Sequence, residues 1–342
     1  MPNISAEQSQ INSLNLLTNN VAFYSYMIII NIGIASNILN MAVCTRKRLQ
    51  VNMMGFYNIV MSLSNILWFV CAYLLYFPAT VGAKDLAQYT TFSCFIIGYS
   101  TRVCAQMSSW INVMITMDRA ICITFPLKFK FLSNKKLISG VILALLVIVC
   151  VINVPNLYYK LGNQTTVISN KTSNLTICGA SHDIILAKYI IIIVMRDIVP
   201  ITLTTTLDIV LIRKIFESRR SSHMTKSLRK EYQFALTVVI INCFLTLTET
   251  PYIWGRINMY MSNSEQINAV VTLLSRASAK LIFMITFMLA TYMCGSLFFV
   301  NLCFNKIFQK EILRLFGLGT AKVDQDNTVL KTTIANRMVS KV

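Results

Sequence analysis

Ionisable side chains in or at the edge of long apolar stretches of this chain include Arg102, Asp118, Arg119, Arg196, Asp197, Asp208 and Glu249. A charge held in hydrocarbon is costly unless it is paired or hydrated, so each of these positions needs a partner or a task. The chemistry they offer is ion pairing across helices, or capture of a charged ligand. Catalysis is not expected. No nucleophile–base pair, metal-ligand cluster or Gly-rich phosphate loop can be assembled, and the only histidines are His182 and His223. The sequence therefore predicts no enzyme, no cofactor and no metal site.

The elements that must position these charges are legible in the composition. Residues of the AVILMFWYC set make up 55% of 342 positions, against 13% charged. That is too few charges to cover a soluble domain of this size. Seven apolar runs, about 21–44, 53–77, 93–118, 137–155, 186–212, 232–255 and 281–304, are long enough to cross about 30 Å of hydrocarbon as helices. The fold class read from them is an all-α membrane protein, a seven-helix transmembrane bundle. Residues 1–20 form a tail without Lys or Arg, so the first span reads as an uncleaved anchor. The net charge of +18 invites a nucleic-acid partner, but Lys and Arg sit in short loops rather than in one stripe or tail. The partner is the lipid bilayer, and no nucleic acid is expected.

Two signals orient the spans. The loops after spans one, three and five hold fourteen basic residues, from Arg46 to Lys230, and the opposite loops hold far fewer. The basic side is read as cytoplasmic. Four glycosylation sequons, at Asn3, Asn163, Asn170 and Asn174, all fall on the other side. The chain is thus expected in the plasma membrane with its N-terminus outside and its C-terminus in the cytoplasm. Of ten cysteines, eight lie in or at the ends of spans. Cys94, at the outer end of span three, and Cys178, in the long outer loop, remain in an oxidising compartment and are expected to pair.

At the inner end of span three the chain reads Met117-Asp118-Arg119-Ala120, with Pro126 seven residues after the Arg. This resembles the Asp-Arg-Tyr motif of rhodopsin-like (class A) G-protein-coupled receptors, with Ala120 in place of Tyr. In that family the Arg follows the disulfide Cys by twenty-five residues, as Arg119 follows Cys94. Gly33-x-x-x-Asn37, Pro200 and Pro251 resemble the family's features in spans one, five and six. Lys306 to Phe316 resembles its amphipathic helix, which sets a segment at 305–317 before a tail at 318–342. The run Pro126-Leu127-Lys128-Phe129-Lys130 is similar to invertebrate FMRFamide-type peptide receptors.

The chain also departs from the family. Asn65 replaces the span-two Asp, which leaves the family's sodium site without its carboxylate, although Ser108 matches one ligand. Thr248-Glu249-Thr250-Pro251 replaces Cys-Trp-x-Pro, and Leu297-Phe298-Phe299-Val300-Asn301 replaces the span-seven motif. Span four lacks its Trp, and Asp208 stands where span five usually carries a Tyr. Thr101 occupies the position of the amine receptors' Asp, which argues against a biogenic amine.

Several partners stay open for each charge. Asp118–Arg119 is either a family switch or a plain border cluster. The resemblance aligns Glu231 with the acid that pairs with Arg119, and a basic neighbour in its own loop is the alternative. Asp208 lies about 12 Å inward of Pro200 and can reach Arg119, or be captured by Lys214 or Arg213. Arg102, Arg196, Asp197 and Glu249 line the outer and middle bundle as expected ligand-binding residues, for a peptide or zwitterion. The alternative is internal pairing, such as Arg102 with Asp197. Glu249 is relieved by protonation, by Arg102 or Arg196, or by a cationic ligand group. The expected function is a receptor that binds an extracellular peptide and activates a heterotrimeric G protein through Asp118, Arg119, Pro126, Asp208, Glu231 and Pro251. The rivals are a transporter or channel using Arg102, Asp197 and Glu249 as a polar path, and a seven-span scaffold that no longer signals.

Overall fold

In hydrocarbon every backbone N–H and C=O must be satisfied within its own segment, and the apolar runs accordingly fold as helices. A computed structural model of the chain describes residues 4–46, 49, 53–125, 134–168, 171–220, 226–264 and 269–317. Within these, only the backbone is described at 4–6, 163–168, 171–177, 218–220, 226–231, 263–264 and 269–272. Asn3, Pro126, Asn170 and the tail from 318 lie outside the described residues, as do the side chains of Asn163, Asn174 and Glu231.

Span one is a continuous helix of α1 (Ile4–Ser25), a π-helical turn (Tyr26–Ile30) and α2 (Asn31–Cys44). Spans two, three and four are α3 (Met53–Thr80), α4 (Thr91–Thr124) and α5 (Lys135–Ile152). Strands β1 (Lys160–Ile168) and β2 (Lys171–Gly179) pair antiparallel, with Leu161 opposite Cys178. Span five is α6 (His182–Ile191), a second π-helical turn (Ile192–Ile198) and α7 (Val199–Arg220). Spans six and seven are α8 (Lys226–Ser264) and α9 (Ala269–Phe304), followed by the short α10 (Lys306–Leu315).

Five of these helices are apolar and long enough to cross a membrane by length and composition alone: Glu7–Cys44, Met53–Thr80, Lys135–Ile152, Tyr232–Ser262 and Leu273–Phe304. The other two, spans three and five, carry Arg102, Asp118, Arg119, Arg196, Asp197 and Asp208, which lower their hydropathy. Those charges face inward. Span three is the central element, contributing Val103, Met107, Ile111, Met114 and Ile115 to the main core between spans two, four, six and seven. The outward surface is aliphatic: Leu143, Val147, Ile148 and Val151 of span four are all exposed, as a lipid-facing wall requires.

Three features differ from the drawn spans. The tail expected over residues 1–20 is helical from Ile4, because Ile11, Thr18 and Ala22 form one buried stripe at helical spacing, on a helix that packs against span seven. The loop expected after span four contains a hairpin, with β-branched Val167 opposite Thr172 and Thr165 and Thr166 beside it in β1. Spans six and seven extend past residues 255 and 281 toward the disulfide end, which brings Arg256 and Lys280 into the bundle.

The packing of spans one, two and seven explains the Gly33–Asn37 spacing. A Cβ on Gly33 would lie 2.4 Å from the Phe69 ring, and one on Gly295 would lie 3.0 Å from Gly33 Cα. The close approach lets Ser36 Oγ donate to Gly295 O (2.7 Å) and Asn37 Nδ2 donate to Cys294 O (3.1 Å). At the far end, Asn305 caps α10 by accepting from the backbone N–H groups of Ile307 and Phe308. Phe308 and Ile312, one turn apart, bury against Val43, Cys44 and Phe298.

Candidate functional site

Pro200 begins the local story in span five. It has no N–H to give to the carbonyl one turn back, so the regular ladder cannot close there. The chain answers with the π-helical turn Ile192–Ile198, in which Val199 N–H reaches back to Val194 O. The wider turn narrows the angle between successive side chains. Arg196 and Asp197 are both buried on this turn, at 8% and 2% exposure, although a regular helix splays neighbouring residues by about 100°. Trp110 Nε1 donates to Met195 O (2.9 Å) and fixes this turn to span three.

Asp197 is the centre of a buried charge cluster. It accepts from Arg256 Nη1 of span six at 2.9 Å, and Arg196 Nε lies 3.7 Å from its other oxygen. Arg256 also donates to the Tyr252 hydroxyl, and both guanidinium groups sit over the Tyr252 ring, at 4.3 Å for Arg256 and 5.6 Å for Arg196. The expected alternative of Asp197 with Arg102 is therefore corrected: Arg256 takes that place. Glu249 lines a small cavity of about 70 Å³ together with Arg196, Asp197, Asn65 and Ser108. Its Oε2 is buried without a hydrogen-bond partner. Among the described residues it makes no ion-pair contact with Arg102 or Arg196, so neither expected partner holds it directly.

Above this cluster, toward the disulfide end, are two larger cavities of about 300 and 310 Å³ that share Tyr76, Arg102 and Lys188. The Cys94–Cys178 bond joins β2 to the start of span three, and both cysteines line one of these cavities. Lys188 Nζ sits over the rings of Tyr159 (4.8 Å) and Tyr189 (5.3 Å). Asp85 is present as well, accepting from Gln88 Nε2 at 3.3 Å.

Toward the opposite end, a polar ladder joins spans three, five and six. Asn242 Nδ2 donates to Asp208 Oδ1 and to Thr116 Oγ1, each at 2.9 Å, and Asn112 Nδ2 donates to Asn242 Oδ1 at 2.8 Å. Asp208 is thus paired with neither Arg119 nor its own helix's bases, and Lys214 is bound by Glu217 at 2.6 Å. The reason is geometric: Asp208 is buried toward Asn242, whereas Lys214 lies toward solvent. A second network crosses spans one, two, three and seven. Ser108 Oγ donates to Asn65 Oδ1 (2.6 Å), and Asn65 Nδ2 is shared between Asn37 Oδ1 and Cys294 O (3.2 Å each). An amide therefore serves as the hub where a sodium site would need a carboxylate. At the end of span three away from the disulfide, Arg119 contacts Asp118 Oδ2 through Nη2 at 2.6 Å and Nε at 3.1 Å, both residues buried.

A disulfide from span three to the strand before span five, a buried Asp–Arg pair at the other end of the same helix and prolines in spans five and six are now in place. A model of the seven-transmembrane receptor family, rhodopsin type, matches residues 36–305. The chain is a rhodopsin-family receptor. No curated protein matches it. As a member of this family it is a multi-pass protein of the plasma membrane, with the all-α seven-helix fold.

Among the expected ligand-binding residues of this receptor, Arg196, Asp197 and Glu249 come together in the middle of the bundle, while Arg102 lies above them in the outer cavities. Pro251 lies within span six, five residues before Arg256. The sequence reading missed Arg256, Tyr252, Lys188, Lys280 and Asn242. Arg256 and Lys280 fell one residue outside the drawn spans. Lys188 lay within a drawn span and was open to the same argument as Arg196. Asn242 carries no charge, and nothing in its spacing marked it.

Proposed function

We propose that this receptor takes a peptide ligand from outside the cell into the two cavities at its disulfide end, and activates a heterotrimeric G protein at the Arg119 end. The N-terminus then lies outside and the C-terminus in the cytoplasm, in line with the sequons and the basic loops. The observation that carries this reading is the arrangement of polar layers along spans three, five and six. Ligand cavities, the Arg196–Asp197–Arg256 cluster, the Asn242 ladder and the Asp118–Arg119 pair follow one another from one end to the other.

The Arg196–Asp197–Arg256 cluster and the Asn242 ladder bridge helices that must move relative to one another for a signal to cross. A ligand that binds differently to two arrangements of the cluster shifts the equilibrium between them. Arg256 and Glu249 flank Pro251, so a change in their partners acts where span six lacks a backbone hydrogen bond. Aromatic and basic side chains on cavities of this size suit a peptide end inserted between the helices. Glycans at Asn3, Asn163, Asn170 and Asn174 belong to the same outward face.

The experiment is a screen of secreted-type peptides on cells expressing the full chain, read by G-protein dissociation sensors. A peptide response in wild type that disappears in Arg119→Ala at equal surface level supports the reading. Peptides that bind the surface receptor without any sensor response would reduce it to a binding protein, as in the scaffold alternative.

A further inference from the structure

The charges of the bundle do not cancel evenly. In the middle layer two cations, Arg196 and Arg256, are matched by two carboxylates, Asp197 and Glu249. In the outer layer Arg102, Lys188 and Lys280 line the cavities, and the only carboxylate among the described lining residues there is Asp85. Arg102, Lys188 and Lys280 make no ion pair among the described residues, and Asp85 accepts from Gln88 through Oδ2 while its buried Oδ1 has no hydrogen-bond partner. Lys188 is held by ring faces instead of by an anion. Beside it, the Tyr159 hydroxyl is buried with no hydrogen-bond partner. Burial pushes that phenol up to about 12, against the pull of the Arg102 charge, so it stays a proton donor at neutral pH.

A guanidinium, an ammonium and an unused hydroxyl line one cavity, and the single carboxylate among its described lining residues, Asp85, forms no ion pair with either cation, so donors outnumber acceptors. Leaving such donors unpaired in a partly dry site is costly, and an anion with several oxygens relieves all of them at once. Arg102 and Lys188 line both outer cavities, so this set stands where the two meet.

We propose that the ligand of this receptor carries an anionic group, a carboxylate or a phosphate or sulfate ester, held between Arg102, Lys188 and Tyr159. This rests on the reading above that these cavities are the ligand site. It revises the earlier expectation of a cationic ligand group at Glu249, because the ligand meets the cationic layer first. Arg102 supplies the planar fork that engages two oxygens together, Lys188 adds charge, and the Tyr159 hydroxyl donates to a third oxygen. Lys280, exposed at the rim, raises the local concentration of anions at the mouth.

The test uses the purified full-length receptor in lipid nanodiscs and affinity selection with three probe pools. The first is a pool of short random peptides with free C-terminal carboxylates. The second is the same pool amidated and made without Asp or Glu, and the third contains aromatic carboxylates and nucleoside phosphates. The expected result is retention of anion-bearing probes about tenfold above the amidated pool, falling about tenfold in Arg102→Gln and in Lys188→Gln. Arg102→Lys should recover part of the loss, and thermal unfolding of each variant separates lost binding from lost folding. If one Gln variant does not fold, the other is read alone.

Retention of acid peptides supports both the peptide and the anion readings. Retention of only the small anions keeps the anion inference and overturns the peptide reading. Preference for the amidated pool keeps the peptide reading and overturns the anion inference. Anion retention unchanged in the Gln variants, or no anion retained from any pool, also overturns it.

Discussion

Glu249 occupies the position two residues before the span-six proline, where the family usually places a Trp, and it faces the same small cavity as Arg196 and Asp197. A carboxylate there either tunes the cluster or merely fills space, and the two roles separate by charge. Glu249→Gln keeps shape and removes charge, while Glu249→Ala removes both. Both variants are expected to shift ligand potency or efficacy by about tenfold, or about 1.4 kcal/mol, in a concentration–response assay at matched surface level. Unchanged responses in both would make Glu249 structural. Asp197 should matter more to stability, because Asp197→Ala removes the one carboxylate in ion-pair contact with the buried Arg196 and Arg256. Loss of one partner from a buried pair costs about 3–5 kcal/mol, so this variant should melt well below wild type in detergent, and Glu249→Gln much less so. Asp85 competes with a ligand anion for the outer cations, and burial raises its carboxyl above the usual range. Asp85→Asn is expected to tighten binding of a carboxylate probe by about fivefold, the worth of roughly 1 kcal/mol from one nearby charge in a wet site. Unaltered or weaker binding would place Asp85 outside the field of the ligand.

At the scale of the elements, the helices were legible because hydrocarbon tolerates little else, and the inward charges because each one stands out against an apolar run. What stayed hidden depended on local geometry. The π-helical turn at 192–198 lies just before Pro200, and both Arg196 and Asp197 are buried there, which the regular helical angle read from the sequence does not suggest. The Asp197–Arg256 pair stayed out of view because helix ends in the interfacial region have no sharp compositional edge, and Arg256 lies just past the apolar run. The Asn242 ladder is uncharged at its hub, so it left no periodic or charge signal. It is nevertheless the feature that bridges spans three, five and six. Asn242→Ala strips three hydrogen bonds and leaves Asp208 without its donor, a loss of about 1–3 kcal/mol. The milder Thr116→Val removes one acceptor from the same ladder. If the ladder favours the resting arrangement, basal signalling rises in both, more in Asn242→Ala; equal basal activity at equal surface density would assign the ladder to packing alone.

At the scale of the whole molecule, a chamber tied by Cys94–Cys178 and the surface around Arg119 sit at opposite ends of one packed bundle. The disulfide joins residues 84 apart in sequence and holds the hairpin beside the cavities. Cys94→Ser is therefore expected to lower surface expression, by an amount set by loss of a constraint worth about 2–5 kcal/mol in small domains and softened by the membrane bundle; expression at the wild-type level would show that the hairpin stays in place unaided. The central claim is that the layers between the two ends carry a signal to a G protein. It is tested most directly without any ligand, by guanine-nucleotide exchange on each class of heterotrimeric G protein, using membranes that contain the full receptor, its Asn242→Ala variant, and Asn242→Ala combined with Arg119→Ala. The account predicts exchange above wild type for at least one class in Asn242→Ala, returning to the receptor-free level when Arg119 is also replaced. Exchange at the receptor-free level for every class and every variant, with surface expression confirmed, would contradict it.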